Sequence, residues 1–195
     1  EAACLAVRNL AYSNAANCRG LGDAGACDAV AAALRAHGEH TGVAEAACGA
    51  MANLAANSEE YTRMLGEAGA CEALAGALWA HAGHAQVAEA ACFAVVALVA
   101  NSKEVRAKLG KAGGCEAVVG ALRANAGRGH EDLDDHACAA MEYFATNHPE
   151  NIAKLVSAAG SRDALLELVE CSAAPEATRR RVGMALAWDA PRDSV

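Results

Sequence analysis

Cysteine and histidine are the residues of this sequence best suited to chemistry, because thiolate and imidazole groups bind metals and act as nucleophiles or bases. Seven of the nine cysteines form two periodic series, 44 to 46 residues apart: Cys4, Cys48, Cys92 and Cys138, then Cys27, Cys71 and Cys115. No C-x-x-C pair of the kind that zinc knuckles use is present. The periodicity therefore predicts small buried core residues, unpaired in a reducing compartment. Cys18 and Cys171 lie outside both series, and we expect them to be exposed.

Two pairs of histidines occupy equivalent positions, His37 and His40 in one unit and His81 and His84 in the next. If the two units stack, four imidazoles could converge on a metal ion. Histidines next to helix ends more often bind the last carbonyls or lie in solvated turns. We therefore expect no metal and no cofactor, and keep a histidine metal site only as the third functional hypothesis.

Sequence patterns typical of enzymes are missing. There is no glycine-rich phosphate loop and no GxSxG, HExxH or DxDG motif, so we expect a protein that is not an enzyme. The net charge is −8, from 16 basic and 24 acidic residues, which argues against nucleic-acid binding. A protein or extended peptide, with a basic one as a candidate, is the expected partner.

The period of 44 residues predicts a solenoid of stacked units. Within one unit, apolar residues at three- and four-residue steps predict a long helix over Val43–Asn57. Ser58 is the expected N-cap of a short helix that ends near Gly66, and a medium helix is predicted over Ala70–Ala80. The buried positions of the long and medium helices are predicted to be Ala44, Ala47, Cys48, Met51, Leu54 and Ala55, and Cys71, Leu74, Ala75 and Leu78.

The composition agrees with closely packed helices. The chain has 195 residues, of which 54 are alanine and only 4% are aromatic. Alanine is the best helix former and fills little volume, whereas sheets favour β-branched and aromatic residues. No run of 18 apolar residues occurs, so we expect no membrane span. The chain begins at Glu1 without a leader, and we expect part of a longer chain in the cytoplasm, with the nucleus as the alternative, and no secretion.

The long helices carry a common signature, which reads Ala6-Val-Arg-Asn9-Leu10-Ala11 in the first copy and Ala50-Met-Ala-Asn53-Leu54-Ala55 in the second. With the Gly-Ala-Cys opening of the medium helix, it resembles the armadillo repeat, in particular vacuolar and cytoplasmic scaffold members. The resemblance implies an all-α right-handed superhelix of about four three-helix repeats plus an N-terminal lone helix. The expected boundaries are a partial repeat at 1–13, repeats at 14–57, 58–101, 102–147 and 148–189, and a tail at 190–195.

The same resemblance implies a concave groove lined by the long helices, where an asparagine binds the backbone of an extended partner. This chain has that asparagine at positions 9 and 53 only, and an inter-helix hydrogen bond that fixes stacking is the alternative role. The tryptophan of nuclear-import members is replaced, which argues against a nuclear localisation signal as ligand. The expected groove residues are Leu5, Asn9, Tyr12, Asn53, Phe93, Tyr143, Arg181 and Trp188.

One shoulder of the groove carries acids eight residues before the asparagine position. Glu45, Glu89 and Asp135, preceded by Glu1, could select a basic segment, or could merely complement the macrodipole in the first turn of each helix. Trp79 takes a medium-helix position that arginine fills in neighbouring units, so it is expected to be exposed. It either marks a second contact surface or packs along the next repeat as an arginine stem would.

The functional expectation is a non-catalytic scaffold that binds an extended peptide or partner protein along the groove. The alternative is an architectural segment of a larger protein or assembly, with no peptide in the groove.

Overall fold

The computed structural model describes residues 1–56 and 58–187, and in these residues the chain forms thirteen α-helices and no strand. After a first helix, the others follow in four triplets of short, medium and long helices. They are α1 (Ala2–Ala11), α2 (Ala15–Asp23), α3 (Ala26–His37), α4 (Thr41–Ala55), α5 (Glu59–Glu67), α6 (Ala70–Ala80), α7 (Ala85–Asn101), α8 (Lys103–Lys111), α9 (Gly114–Asn125), α10 (Glu131–Ala145), α11 (Pro149–Ala159), α12 (Arg162–Glu170) and α13 (Glu176–Ala187). The expected order of lengths is confirmed in the first three triplets. In the last triplet α11, with 11 residues, is longer than α12, with 9, and we keep the names short, medium and long by position.

The short helices begin at side-chain caps. Ser58 accepts a hydrogen bond from the backbone N–H of Tyr61 at 3.2 Å, as the sequence predicts, and Ser102 does the same for Val105 at 3.3 Å. Such caps satisfy one of the free N–H groups of the first turn. In the final triplet Pro149 starts the short helix instead, where its missing N–H costs nothing.

Glycine separates the short helix from the medium helix in the first three triplets. Gly25, Gly69 and Gly113 have φ values of 80°, 83° and 91°, in the left-handed region that side chains with a Cβ rarely adopt. The sharp turn folds each medium helix back against the short helix that precedes it.

The long helices stack directly on one another in the order α1, α4, α7, α10 and α13, and α3, α6 and α9 form a second layer. Every predicted buried residue of α4 and α6 is buried. Ala46, which helical spacing places on the face opposite this apolar stripe, is also buried, with only 1% of its surface exposed. Because α4 is packed between α1 and α7, it is buried on two sides.

Small residues permit this close stacking. A Cβ on Gly66 would lie 2.8 Å from Cγ2 of Val105 in the following repeat, and one on Gly49 would lie 2.5 Å from Cδ of Arg8. A larger side chain at position 66 would displace Val105, whereas one at position 49 would have to displace only the flexible side chain of Arg8. The many small residues therefore allow the helices of neighbouring repeats to pack at a short distance.

Eight of the nine cysteines are buried, and Cys171 is exposed. The expectation that Cys18 is exposed is wrong: its thiol donates a hydrogen bond to the carbonyl of Ala11 at 3.3 Å. Burial raises the pKa of the Cys48 thiol to about 12 and that of Cys71 to about 11. Such thiols are core residues with little thiolate at neutral pH.

In the part of the chain that the structure describes, no helix combines the length and the apolar character that a bilayer crossing needs.

Candidate functional site

The exposed side of the long-helix layer carries the predicted groove residues, and we call it the groove face. Tyr12 is exposed at 71% and Phe93 at 38%. Trp188 lies outside the described residues. The remaining five are Asn9 and Arg181, which are exposed, and Leu5, Asn53 and Tyr143, which are half-buried.

Three of the predicted residues meet in one cleft. Tyr12, Asn53 and Phe93, from three successive long helices, line an open cleft of about 600 Å³. Arg19 and Tyr61, from the short helices α2 and α5, also line it. The sequence analysis missed these two residues because their position depends on how the short helices pack beside the long ones.

Asn53 bonds to its own fold. Its Nδ2 donates a hydrogen bond to the carbonyl of Arg8 at 2.8 Å, from one long helix to the one before. This is the stacking role that the sequence analysis left as the alternative. The amide oxygen of Asn53 forms no hydrogen bond within the described residues, and a primary amide has two donor and two acceptor sites, so the side chain keeps further hydrogen-bonding capacity.

Arg8 crosses the groove face next to Asn53. Its Nη1 lies 3.3 Å from Oε1 of Glu45, and its aliphatic stem runs over Gly49. Both side chains of the ion pair are partly exposed, so the pair adds little to stability. Its effect on the surface is larger, because it neutralises one of the shoulder carboxylates.

The other two shoulder acids differ from Glu45 and from each other. Asp135 accepts a hydrogen bond from Oγ1 of Thr178 at 2.7 Å. Glu89 is half-buried and forms no ion pair within the described residues. The shoulder is therefore not a row of three equivalent carboxylates, and Glu89 is the member most open to a basic ligand.

Phe93 forms a contact between two long helices. Its ring centroid lies 4.9 Å from that of His136 on α10, with the planes tilted by 32°. The Nδ1 atom of His136 is buried and has no hydrogen-bond partner among the described residues. The histidine supports the phenylalanine ring from one side and leaves the other side facing the cleft.

Tyr143 is tied more closely to the body of the protein. The guanidinium of Arg106 lies 6.0 Å from the centre of the Tyr143 ring, at the outer limit of a cation–π contact. The same guanidinium donates to the carbonyls of Val99, at 3.0 and 3.2 Å, and Thr146, at 3.2 Å. Tyr143 also packs against the hydrophobic core, so its replacement would lower stability as well as change the surface.

A second cleft, of about 390 Å³, lies between α10 and α13. Arg181 lines it, and its Nε lies 2.7 Å from Oε2 of Glu142. The ion pair raises the pKa of Arg181, chiefly through the hydrogen bond to Glu142. Met184, exposed at 65%, also lines this cleft, and the sequence analysis missed it. It lies one residue before the position of α13 that corresponds to Asn9 and Asn53.

The four loop histidines do not converge. Nε2 of His81 lies 2.7 Å from the carbonyl of Gly38, whereas His37, His40 and His84 are exposed. Within residues 1–56 and 58–187, no three His, Cys, Asp or Glu side chains are grouped as a metal site would require. His81 fixes the stacking of two repeats instead.

Comparisons with known proteins address the fold. No family model matches the chain, and no curated protein matches it. An engineered protein of known crystal structure is similar with a TM-score of 0.78 at 21% identity, over 95% of this chain and 72% of its own. Two designed armadillo repeat proteins are also similar, each over 95% of this chain and 91% of their own. Their TM-scores are 0.70 and 0.50 at 22% and 23% identity, and the second is in complex with the peptide (KR)4.

The stacked triplets and these similarities define an α-helical solenoid. The fold is that of armadillo repeat proteins, as the helix signature predicts.

Proposed function

We propose that this protein is a non-catalytic scaffold that binds an extended peptide, or an extended segment of a partner protein, along the groove face. The observation that carries the proposal is the cleft at which Tyr12, Asn53 and Phe93 meet. Exposed aromatic side chains are frequent binding anchors, because they bury a large area at a small cost in side-chain entropy.

The middle of the groove face supports an extended ligand. Ala97 and Ala139 are half-buried and small, so a backbone could approach α7 and α10 closely there, whereas the stem of Arg8 covers Gly49 on α4. Solenoids present long surfaces of this kind rather than deep pockets. A designed protein with the same fold binds the peptide (KR)4, which supports this mode of binding by analogy of fold.

Charge is the weaker part of the proposed recognition. Glu45 is paired with Arg8, and Glu142 with Arg181, so much of the acidity of this face is internally balanced. Glu89 is the position at which we propose a basic ligand residue. The affinity should therefore depend on the aromatic anchors more than on ionic strength.

The experiment is a selection of displayed random peptides on the purified protein, followed by titration of an enriched peptide. We expect the Phe93→Ala variant to weaken binding about tenfold or more, in the range of an interface anchor. The matched control is Trp79→Ala, an exposed aromatic on a medium helix, which should leave the affinity unchanged. Equal affinity of the Phe93→Ala variant and the unmodified protein would contradict the proposal.

The architectural alternative is favoured by a different observation. Asn53 of the groove and Glu45 of the shoulder both contact Arg8 through their side chains and so join two repeats. If the groove face serves only to stack repeats, the selection should enrich no peptide whose binding is sensitive to Phe93→Ala.

A further inference from the structure

A third cleft lies on the medium-helix side, away from the groove face. It opens between α3 and α6, and its volume is about 410 Å³. Leu34, Ala73 and Ala77 are buried lining residues, while Arg35 and Gly76 are exposed ones. We call it the medium-helix slot.

The equivalent place one repeat later is occupied by the protein's own tryptophan. The indole of Trp79 extends from α6 onto the next repeat, where a Cβ on Gly113 would lie 3.8 Å from its Nε1. A Cβ on Gly120 would lie 3.7 Å from its Cζ3. These are ordinary van der Waals distances, so one indole covers both glycines. Trp79 thus packs along the next repeat, which is one of the two roles that the sequence predicts for it.

In the medium-helix slot the tryptophan is replaced by Arg35, and the space stays open. Nη1 of Arg35 donates to the carbonyl of Ala68 at 3.1 Å, beside Gly69, which is the equivalent of Gly113. Gly76 is the equivalent of Gly120, and no atom lies within 4 Å of the position that its Cβ would take. Of the two glycines that Trp79 covers in the next repeat, the equivalent of Gly113 is covered here by Arg35, and the equivalent of Gly120 is uncovered.

The charges around the slot are complementary to an indole. The guanidinium of Arg35 lies at one end, where it could contact the face of an aromatic ring. A carboxylate oxygen of Glu72 would lie 4.0 Å from a Cβ on Gly69, at the end where Trp79 places its N–H in the next repeat. Because Nη1 of Arg35 lies 3.1 Å from the same Cβ position, the guanidinium takes the place that the N–H edge of Trp79 takes in the next repeat. A guest indole would therefore lie over Gly76, beside the guanidinium, with the Glu72 carboxylate as a hydrogen-bond acceptor within reach.

We propose that the medium-helix slot binds a tryptophan side chain from the surface of a partner protein. The internal packing of Trp79 shows what shape the repeat surface accepts, and Arg35 with Glu72 supplies the matching charges. The site lies on a different layer of the solenoid from the groove face and does not depend on the function proposed above.

The test uses N-acetyl-tryptophanamide as the probe and the amide resonances of the ¹⁵N-labelled full chain as the readout. We expect saturable shifts at Ala73, Gly76 and Ala77, and much weaker effects with N-acetyl-leucinamide. Shifts of equal size with both probes would overturn the aromatic specificity. The absence of saturable shifts at these residues would overturn the site.

Two variants keep the result interpretable. Gly76→Leu fills the slot from within and should weaken probe binding about tenfold or more. Its control, Gly20→Leu, places the same side chain at another helical glycine with open space around it and should bind as the unmodified protein does. Arg35→Trp should close the slot as Trp79 closes the next one, and unchanged binding in that variant or in Gly76→Leu would contradict the proposal.

Discussion

Side-chain amides that reach the backbone of a neighbouring repeat are the most consistent residue-scale feature of this protein. Asn53 donates to the carbonyl of Arg8, and Asn101 to that of Ala55 at 2.9 Å. Asn125 donates in the same way to Ala82 at 2.7 Å. Each bond joins two consecutive repeats, so these residues set the register of stacking.

The Asn53→Ala variant should lower the free energy of unfolding by about 1 kcal/mol, because the carbonyl of Arg8 loses its partner in a partly buried place. The measurement is the urea midpoint. The control is Asn9→Ala at the equivalent position of α1, where the side chain is exposed and makes no hydrogen bond within the described residues. A loss of equal size in both variants would show that the bond between repeats contributes nothing.

Individual buried positions were predictable where helical spacing defines them, as for Met51 and Leu54. Cys18 was not, because its burial depends on a hydrogen bond across the turn to Ala11. Two repeats later Arg106 occupies the same position and donates to Val99, the equivalent carbonyl. Because a thiol fills this position in one repeat and a guanidinium in another, no single residue type marks it. The shared role, a hydrogen bond to the end of the preceding long helix, is therefore not visible in the sequence.

At the scale of helices, the carboxyl ends of the short helices are held by cations from the preceding repeat. Arg35 binds the carbonyl at the end of α5, and Arg123 binds those of Ala158 and Ala159 at the end of α11. Neither short helix has a basic residue in its own last turn. Of the other two short helices, α8 faces Trp79 and carries Lys108 and Lys111 itself, whereas α2 has no basic residue in its last turn. Favourable charge at the ends of α5, α8 and α11 is thus supplied in one of two ways.

Replacement of Arg123 by methionine keeps much of the stem and removes the guanidinium. We expect the Arg123→Met variant to lose about 1 kcal/mol of stability, from two hydrogen bonds and the interaction with the dipole of α11. The control is Arg180→Met, since within residues 1–56 and 58–187 Arg180 forms only an exposed pair with Glu176 in its own helix. Chemical denaturation of both proteins makes the comparison. A change in Arg123→Met no larger than in the control would refute the capping role.

The helices themselves were largely predictable from the sequence, and the errors lie at their ends. The medium helix Ala70–Ala80 has the predicted bounds, whereas α4 begins at Thr41, two residues before the expected start at Val43, and α7 begins at the equivalent position, Ala85. His40 and His84 precede these helices without a side-chain cap. The spacing of apolar residues identifies the helical turns that pack in the core. No capping side chain in the sequence marks the first turn of α4 or α7.

At the scale of the whole molecule, buried thiols repeat through the core and should make stability depend on pH. Burial raises the pKa of Cys48, Cys115 and Cys138 to about 12. In the unfolded chain these thiols ionise near pH 9, so between about pH 9 and 12 the unfolded state releases protons that the folded state keeps. Stability should therefore fall as the pH rises above about 9.

The expected loss is roughly 1 kcal/mol for each of Cys48, Cys115 and Cys138 between about pH 8 and 10. The urea midpoint at several pH values measures it. Cys48→Ala should flatten the dependence, although it also removes packing atoms, whereas Cys171→Ala should leave the slope unchanged because that thiol is exposed. Identical slopes in the two variants would contradict the assignment.

The groove face was only partly predictable at this scale. Helical spacing places Tyr12, Asn53 and Phe93 on one side of the long helices, and the structure brings them to one cleft. The contributions of Arg19 and Tyr61 depend on contacts between helices distant in sequence. The internal pairing of Glu45 with Arg8 likewise depends on the stacking distance. These contacts decide the chemistry of the surface and follow from the folded solenoid alone.

The most direct test of the proposed scaffold function locates a selected peptide on the molecule. A spin label at the centre of the bound peptide should broaden the amide resonances of Gly49, Phe93 and Ala139, which lie on the groove face. Resonances of Ala73 and Ala117, in the medium helices, should stay sharp. Stronger broadening at Ala73 and Ala117 than at the groove residues would contradict the account.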